Sequence, residues 1–392
     1  MKYKRIFVIV VDSLGCGGAL DASSYHDENT NTLYHVMQQH PFPKKALYHL
    51  GISNLINLPY LPYNYNAKGY VTRMQEKSLG KDTISGHYEL MGCVVKEPFQ
   101  TYTDTGFPTV FMNKLANACQ HGYLGNMAAS GTEIIRQYGE EHIKTKDMII
   151  YTSSDSVLQI AAHETYFGLE ELYRCCKIAR EMTLEGEVKV ARVIARPFIG
   201  EHADDFTRTS HRVDYAIPPF QPTLLDALNP NYDVIAIGKI NDIFCGQGIK
   251  EYVKSKSSIE GMQQTIAYQK KDFNGLCFVN LVDFDMLWGH RRNVEGYFQE
   301  LVTFDEYLDQ FIQQMNHDDL VIITADHGND PTYKGSDHTR ENVIMLAYSP
   351  SMKGRGTLPI RTCFGDVAAT IAENFDIESP YIEGTSFYKQ LR

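Results

Sequence analysis

Leu320-Val321-Ile322-Ile323-Thr324-Ala325-Asp326-His327-Gly328-Asn329-Asp330 is the stretch on which the fold turns. Its first four residues are apolar and mostly β-branched, the composition of a buried strand. Asp326 and His327 follow closely, just past the strand's carboxyl end. In open parallel α/β sheets that edge is where ligands bind. A carboxylate beside an imidazole there is a ready pair of metal ligands. The same construction recurs outward along the chain. Phe278-Val279-Asn280-Leu281-Val282 runs into Asp283-Phe284-Asp285, with His290 shortly after. Arg5-Ile6-Phe7-Val8-Ile9-Val10-Val11 ends in Asp12, and Asp337-His338 follows the first motif within one loop. Asp12, Asp285, His290, Asp326, His327, Asp337 and His338 are therefore candidate ligands gathered along one sheet edge.

Further strand-like runs at 234–238 and 343–347 alternate with helical patterns. At 296–315, Phe298, Leu301, Val302, Leu308, Phe311, Ile312 and Met315 recur at roughly helical spacing, and 366–375 reads as a helix with Asp366 as N-cap. Strands alternating with helices predict an α/β core, a parallel-rich sheet flanked by helices. The candidate ligands cluster at the two ends of the chain, and the long segment between them, bracketed by Pro98 and Pro218-Pro219, is poor in such motifs. The simplest organisation is a core built from residues 1–97 and 219–392, with a smaller α+β cap inserted at 98–218. In the cap, 148–152 and 188–194 read as strands and 169–182 as a helix.

The composition narrows the function classes. A chain of 392 residues with 43% apolar and 22% charged residues suits a large globular core. No apolar stretch approaches the roughly 18–20 residues needed to span a bilayer. Met1-Lys2-Tyr3-Lys4 leads directly into the first strand, with no secretory signal pattern, so the expected location is the cytoplasm. The eight cysteines are scattered without a C-x-x-C pair, which predicts buried thiols, not disulfides or a zinc site. A net charge of −11 argues against nucleic-acid binding. It leaves small phosphorylated substrates open, because metal ions and a few arginines reverse the sign inside a cleft.

Carboxylate oxygens and imidazole nitrogens together suit Mn²⁺, Zn²⁺ or Fe²⁺. The number of candidates exceeds one tetrahedral site and fits two metals roughly 3.5–4 Å apart, an arrangement common in phosphoryl-transfer enzymes. Such a site needs a nucleophile. The loop Gly80-Lys81-Asp82-Thr83-Ile84-Ser85-Gly86-His87 offers two hydroxyls, with Lys81 placed for electrostatic help. A hydroxyl becomes a useful nucleophile at neutral pH when a metal coordinates it. Spacing alone does not separate Thr83 from Ser85. No G-x-x-x-x-G-K-[ST] occurs, so a P-loop is excluded.

Val11-Asp12-Ser13, Gly80-Lys81-Asp82-Thr83, Asp283-Phe284-Asp285 with His290, and Thr324 to Asp330 together resemble the alkaline phosphatase superfamily. The longer blocks Tyr151 to Gln159 and Ala191 to Phe198 resemble, more narrowly, its phosphopentomutase family, essentially end to end. The resemblance implies that Asp12, Asp326 and His327, with the Thr83 oxygen, hold one Mn²⁺, that Asp285, His290 and His338 hold the other, and that Thr83 is the residue phosphorylated. It implies interconversion of ribose 1-phosphate and ribose 5-phosphate, and of the 2-deoxyribose phosphates, in cytoplasmic nucleoside salvage. A sugar bisphosphate would prime the phosphoenzyme. The inserted segment then acts as a cap that excludes water and positions the acceptor. Among its charged residues Arg192, Arg196, Arg208, His211 and Arg212, Arg192 and Arg208 are expected on the sugar 5-phosphate, with Asp155 on a ribose hydroxyl. Ile194 and, after the strand at 234–238, Lys239 are further candidate substrate contacts. The lone Trp288 is expected to pack its loop. The expected partners are small pentose phosphates, without nucleic acid, membrane or an obligate protein partner. The alternatives are a metal-dependent phosphatase, phosphodiesterase or phosphoglycerate mutase on the same fold, or a binding protein that has lost catalysis.

Overall fold

The computed structural model describes residues 2–153 and 155–391, so Ser154, within one of the blocks above, lies outside the described residues. The chain divides into two compact units, Met1–Pro98 with Pro219–Arg392, and Phe99–Pro218. In chain order, β1 (Arg5–Val11), β2 (Gly15–Gly18) and β3 (Tyr70–Met74) precede the inserted unit. β4 (Tyr123–Ala128), β5 (Met148–Thr152), β6 (Val157–His163), β7 (Arg192–Ile199), β8 (Thr207–Arg208) and β9 (Val213–Ala216) belong to it. β10 (Asp233–Ile237), β11 (Glu251–Val253), β12 (Gly275–Leu281), β13 (Asp319–Thr324), β14 (Glu341–Tyr348) and β15 (Gly356–Thr357) complete the core.

The core sheet has the order β11-β10-β12-β1-β13-β14-β3-β15, with β2 on β14. β1 lies at its centre, parallel to β12 and β13. Residues 6–11 are fully buried, as an apolar run covered on both faces must be. The one charge in this strand, Arg5, donates to both carboxylate oxygens of Asp319 at 2.7 Å and so pins the starts of β1 and β13 together. β14 departs from the parallel pattern: it runs antiparallel to both β13 and β3. A parallel neighbour needs a crossover, and the link from β13 to β14 is instead the loop that carries His327 and His338, so the chain returns in the opposite sense.

The inserted unit is a mixed sheet, β4-β5-β6-β7-β8 with β9 on β7. The helices Gly131–Thr145 and Leu169–Glu185 join its strands. The strand expected at 188–194 begins only at Arg192 and runs to Ile199. Val188 and Val190 are buried in this unit's own core, and the carbonyls of Val190 and Ala191 accept from Arg180 Nη1, so the alternating pattern there marks an extended edge outside the ladder. The helix expected from 366 starts there, but Gly365 holds the N-cap position. Asp366 itself accepts from Arg361 Nε and Thr385 N. All eight cysteines are free thiols, seven of them buried. Among the described residues no helix is long and apolar enough to cross a membrane.

Candidate metal and phosphoryl-transfer site

Three central strands deliver their acids to one edge. Asp12 follows β1, Asp285 stands shortly after β12, and Asp326 and His327 follow β13. Because the three strands are parallel and in register, their carboxyl ends coincide. His290 closes the turn after Asp285, and His338 comes from the loop before β14.

The donors form two groups. His327 Nε2 lies 3.4 Å from both Asp12 Oδ1 and Asp326 Oδ2. His290 Nε2 and His338 Nε2 lie 3.0 and 3.5 Å from Asp285 Oδ2 and 3.1 Å from each other. The His327 and His338 rings stack with centroids 3.9 Å apart, so the groups adjoin. Each imidazole is aimed from behind. Nδ1 of His290 faces Ser336 O at 2.6 Å, that of His338 faces Lys81 O at 2.9 Å, and that of His327 faces Gly328 O at 3.1 Å. A carbonyl only accepts, so Nδ1 carries the proton and the Nε2 lone pair points into the site.

This arrangement fits divalent cations. Asp12 Oδ1 is buried and takes part in no hydrogen bond, and Asp326 Oδ2 has only His87 Nδ1 near it, at 3.1 Å and directed at Thr83 O instead, which is costly for a carboxylate unless a cation meets it. Burial, then the neighbouring Asp326 and Asp285 carboxylates, push the Asp12 carboxyl well above its usual range. Burial also opposes ionisation of Asp285, and its carboxyl is held well below its usual range when positive charge, an imidazolium or a bound cation, stands beside it at His338 and His290. Two lone pairs 3.1 Å apart beside a carboxylate, as at His290 and His338, describe a cation's ligand shell.

Thr83 opens the helix Thr83–Leu90. Asp82 caps that helix, accepting from Ile84 N and Ser85 N, and it also takes the Ser85 hydroxyl at 2.7 Å. Ser85 is fully buried and committed to the cap. Thr83 Oγ1 instead lies 3.2 Å from His327 Nε2, at the helix N-terminus, where the backbone favours negative charge. Lys81, expected to assist electrostatically, pairs with Asp27 and Asp337, each at 3.1 Å, and contributes its carbonyl to His338. Asp337 is thereby engaged with Lys81 and not with the other donors.

Several supporting residues escaped the sequence reading. Asn280 donates to Asp12 Oδ2 at 2.9 Å, and Asn329 to Asp285 Oδ1 at 2.7 Å. His87 Nδ1 donates to Thr83 O at 2.8 Å. Asn280 was the detectable one, a single amide inside an otherwise apolar strand. Gly86 lets the Thr83 helix touch the ligand strand: a Cβ there would sit 2.0 Å from Asp326 O. Trp288 packs where a side chain on Gly296 would otherwise be, its ring 2.2 Å from that Cβ position.

In the inserted unit, Arg192 opens β7 and donates to Asp155 Oδ2 at 3.1 Å, with Asp214 Oδ2 at 3.9 Å. Ile194 lies on the same strand, 2% exposed, between Gln159 and Asp214. Arg208 is opposite Phe198 on β8 and exposed. Lys239, in the core unit, follows β10, and its charge acts on Asp12 and Asp283.

A family model described as the Metalloenzyme superfamily matches residues 224–379, which hold Asp285, His290, Asp326, His327 and His338. The fold is shared with a solved phosphoglycerate mutase of Leishmania mexicana, with a TM-score of 0.50 over 98% of this chain and 97% of that one, at 11% identity. Fold and site thus define an alkaline-phosphatase-like metalloenzyme. At the level of sequence, the phosphopentomutase of Clostridium perfringens (strain 13 / Type A) is 54% identical over 386 residues, covering 98% of this chain and 97% of that protein. That of Clostridium botulinum (strain Alaska E43 / Type E3) is 53% identical over 381 residues, covering 97% and 96%. The chain belongs to the phosphopentomutase family.

Proposed function

We propose that the protein interconverts ribose 1-phosphate and ribose 5-phosphate, and the 2-deoxyribose phosphates, through a phosphorylated Thr83 and a sugar 1,5-bisphosphate. It is an isomerase, an intramolecular phosphotransferase. The observation that carries the mechanism is the Thr83 hydroxyl at a helix N-terminus, 3.2 Å from a site imidazole, while the rival Ser85 is tied to Asp82. Family membership supports the mutase over a phosphatase or a phosphoglycerate mutase.

Two Mn²⁺ fit the donor set, one held by Asp12, Asp326, His327 and the Thr83 oxygen, the other by Asp285, His290 and His338. When bound they supply positive charge to the transferring phosphoryl group and lower the pKa of the Thr83 hydroxyl. The resting enzyme carries phosphate on Thr83, placed there by a sugar bisphosphate primer. The anomeric hydroxyl of ribose 5-phosphate attacks that phosphorus, and the bond to Thr83 Oγ1 breaks. The product, ribose 1,5-bisphosphate, then presents its other phosphate. Thr83 Oγ1 attacks it, the bond to the sugar O5 breaks, and ribose 1-phosphate leaves. Throughout, Thr83 Oγ1 stays at the N-terminal end of the Thr83–Leu90 helix, where the helix dipole favours the charge that develops on it. Arg192 and Arg208 contact the 5-phosphate, Asp155 a ribose hydroxyl, and Ile194 and Lys239 the remainder of the substrate. The protein works in cytoplasmic nucleoside salvage on small pentose phosphates, without an obligate protein partner.

A coupled assay with ribose 1-phosphate, run with and without Mn²⁺ and a bisphosphate primer, tests this. Turnover should need the metal and rise with the primer, and Thr83→Ala should abolish it. Full mutase activity in Thr83→Ala, or free phosphate as the main product, overturns the reading.

A further inference from the structure

One side chain stands behind every donor of the Asp285, His290 and His338 group. Arg292 follows His290 by two residues, is half-buried, and has a φ of 54°, in the left-handed region. A residue other than glycine is strained there and stays only because its surroundings hold it. Its guanidinium has five acceptors, none of them charged. Nε donates to Gly335 O at 2.6 Å, and Nη2 to Asp337 O at 2.8 Å. Nη1 is shared among Gly289 O at 3.1 Å, Asp330 O at 3.0 Å and Asn329 Oδ1. These acceptors come from two loops, the turn after β12 and the link between β13 and β14.

Apart from the Asp330 carbonyl, each acceptor leads to a ligand. Gly289 precedes His290, and Asp337 precedes His338. Gly335 precedes Ser336, whose carbonyl receives His290 Nδ1 at 2.6 Å. Asn329 gives its oxygen to Arg292 and so turns its Nδ2 to Asp285 Oδ1, at 2.7 Å. The other group is supported elsewhere, Asp12 by Asn280 and Asp326 by Ser13 N. Packing does not hold the geometry around Arg292, because Gly335 and Ser336 are exposed. The Nε2 atoms of His290 and His338 are 3.1 Å apart, and their lone pairs repel until a cation lies between them. Nor is charge the reason for an arginine here, since a guanidinium beside a cation site opposes the cation. What it supplies is a planar fork of N–H donors that ties carbonyls of two loops to one rigid group.

We propose that Arg292 is the positioning residue of the Asp285, His290 and His338 cation site, fixing both loops so that the three donor atoms converge before a cation arrives. Arg292 touches neither cation nor substrate; it acts through Asn329, through the Ser336 carbonyl and through the backbone beside His290 and His338. The proposal rests on the two-cation reading of the site.

The test is titration of Mn²⁺ into the full-length protein after a chelator has removed bound metal, with unbound Mn²⁺ read by electron paramagnetic resonance. Wild type, Arg292→Gln and Arg292→Lys are compared, and His290→Ala marks which binding step belongs to this group. Both Arg292 variants should weaken that step by about 10- to 100-fold and leave the other step within about 3-fold. Raising Mn²⁺ should then return kcat to within about 3-fold of wild type, which a general loss of structure would not allow. A role exerted through charge gives a different pattern, tighter Mn²⁺ binding in Arg292→Gln and wild-type binding in Arg292→Lys. That pattern, or both steps unchanged in both variants, overturns the positioning role and leaves the two-cation reading standing. Arg292→Lys keeps the stem and the charge, and it carries the test if Arg292→Gln does not fold. Wild type that binds fewer than two Mn²⁺ overturns the two-cation reading itself.

Discussion

In the core, Asp12, Asp326 and His327 are at most 1% exposed, and the imidazoles of the site are tied from behind to backbone carbonyls. On the inserted unit, the side chains of Arg192 and Asp155 stay 25% and 23% exposed, and Arg208 lies open. Both regions are built from charged residues at sheet surfaces, but they hold them differently. Donors fixed by buried backbone cannot rearrange, so the core sets a geometry in advance, which is what stabilising a developing charge requires. Half-exposed guanidinium groups keep their hydration and rotamer freedom, which suits them to gripping and releasing a substrate. On the proposed function, this difference corresponds to reaction in the core and recognition on the inserted unit. Gly86→Ala attacks the first half of that statement. Its Cβ would meet Asp326 O at 2.0 Å, a backbone atom of the ligand strand that has nowhere to go. The Thr83 helix must shift, and a misplacement of about 1 Å should lower kcat by about 100-fold or more. KM for ribose 5-phosphate should stay within about 3-fold. Steady-state kinetics of the purified variant checks this, and an intact kcat would mean that the core is not a rigid frame.

Asp305 asks what burial alone does to a core carboxyl. It is fully buried, accepts from Leu47 N at 2.7 Å, and has Lys45, Glu306 and Asp309 nearby but no imidazole of the kind that faces the site acids. Burial is the main cause that pushes it up to about 7. The unfolded value is about 3.9, so between the two the folded state binds the extra proton. The contribution to stability is therefore full below about pH 4 and is lost as pH rises through about 7. Asp305→Asn keeps an acceptor for Leu47 and removes the titration. At about 1.36 kcal/mol per unit, discounted by roughly half for solvent relaxation, the variant should gain about 2 kcal/mol over wild type between pH 4 and pH 8. Thermal unfolding across that range measures it, and parallel curves would show that burial does not control this carboxyl.

How far these arrangements can be read from sequence follows from the range of the forces involved. β1, β12 and β13 declare themselves because a strand buried on both faces must be apolar throughout, and the acids after them stand out by contrast. The antiparallel return of β14 is set by a loop whose path depends on the groups it gathers, and local pattern does not carry it. Thr83 and Ser85 are equivalent in spacing. What distinguishes them is a cap hydrogen bond, Ser85 to Asp82, that appears only once the helix forms. Gly86 reads as loop punctuation until the Asp326 carbonyl is seen against it. On the inserted unit, Arg196 and Arg212 look alike in the chain. Only the fold matches Arg212 to Asp214 and leaves Arg196 with an amide.

The smallest expected effect tests the second half of the comparison. Arg192 donates to Asp155, and Asp214, which lies further off, is shared with Arg212. A half-exposed pair of this kind contributes at most about 1 kcal/mol to folding, so Arg192→Ala should leave the unfolding midpoint nearly unchanged. Losing one charge-assisted contact to a phosphate should raise KM for ribose 5-phosphate about 10-fold, or about 1.4 kcal/mol, with kcat held within about 3-fold. Arg192→Lys should fall between the two, because an ammonium keeps the charge but not the paired fork of N–H donors. The split between KM and kcat is the informative reading. A lost interaction made equally in ground and transition states moves KM alone, whereas one made only in the transition state lowers kcat. If Arg192→Ala lowers kcat and spares KM, the inserted unit takes part in the chemical step, and the division between a reacting core and a recognising insertion fails at this residue.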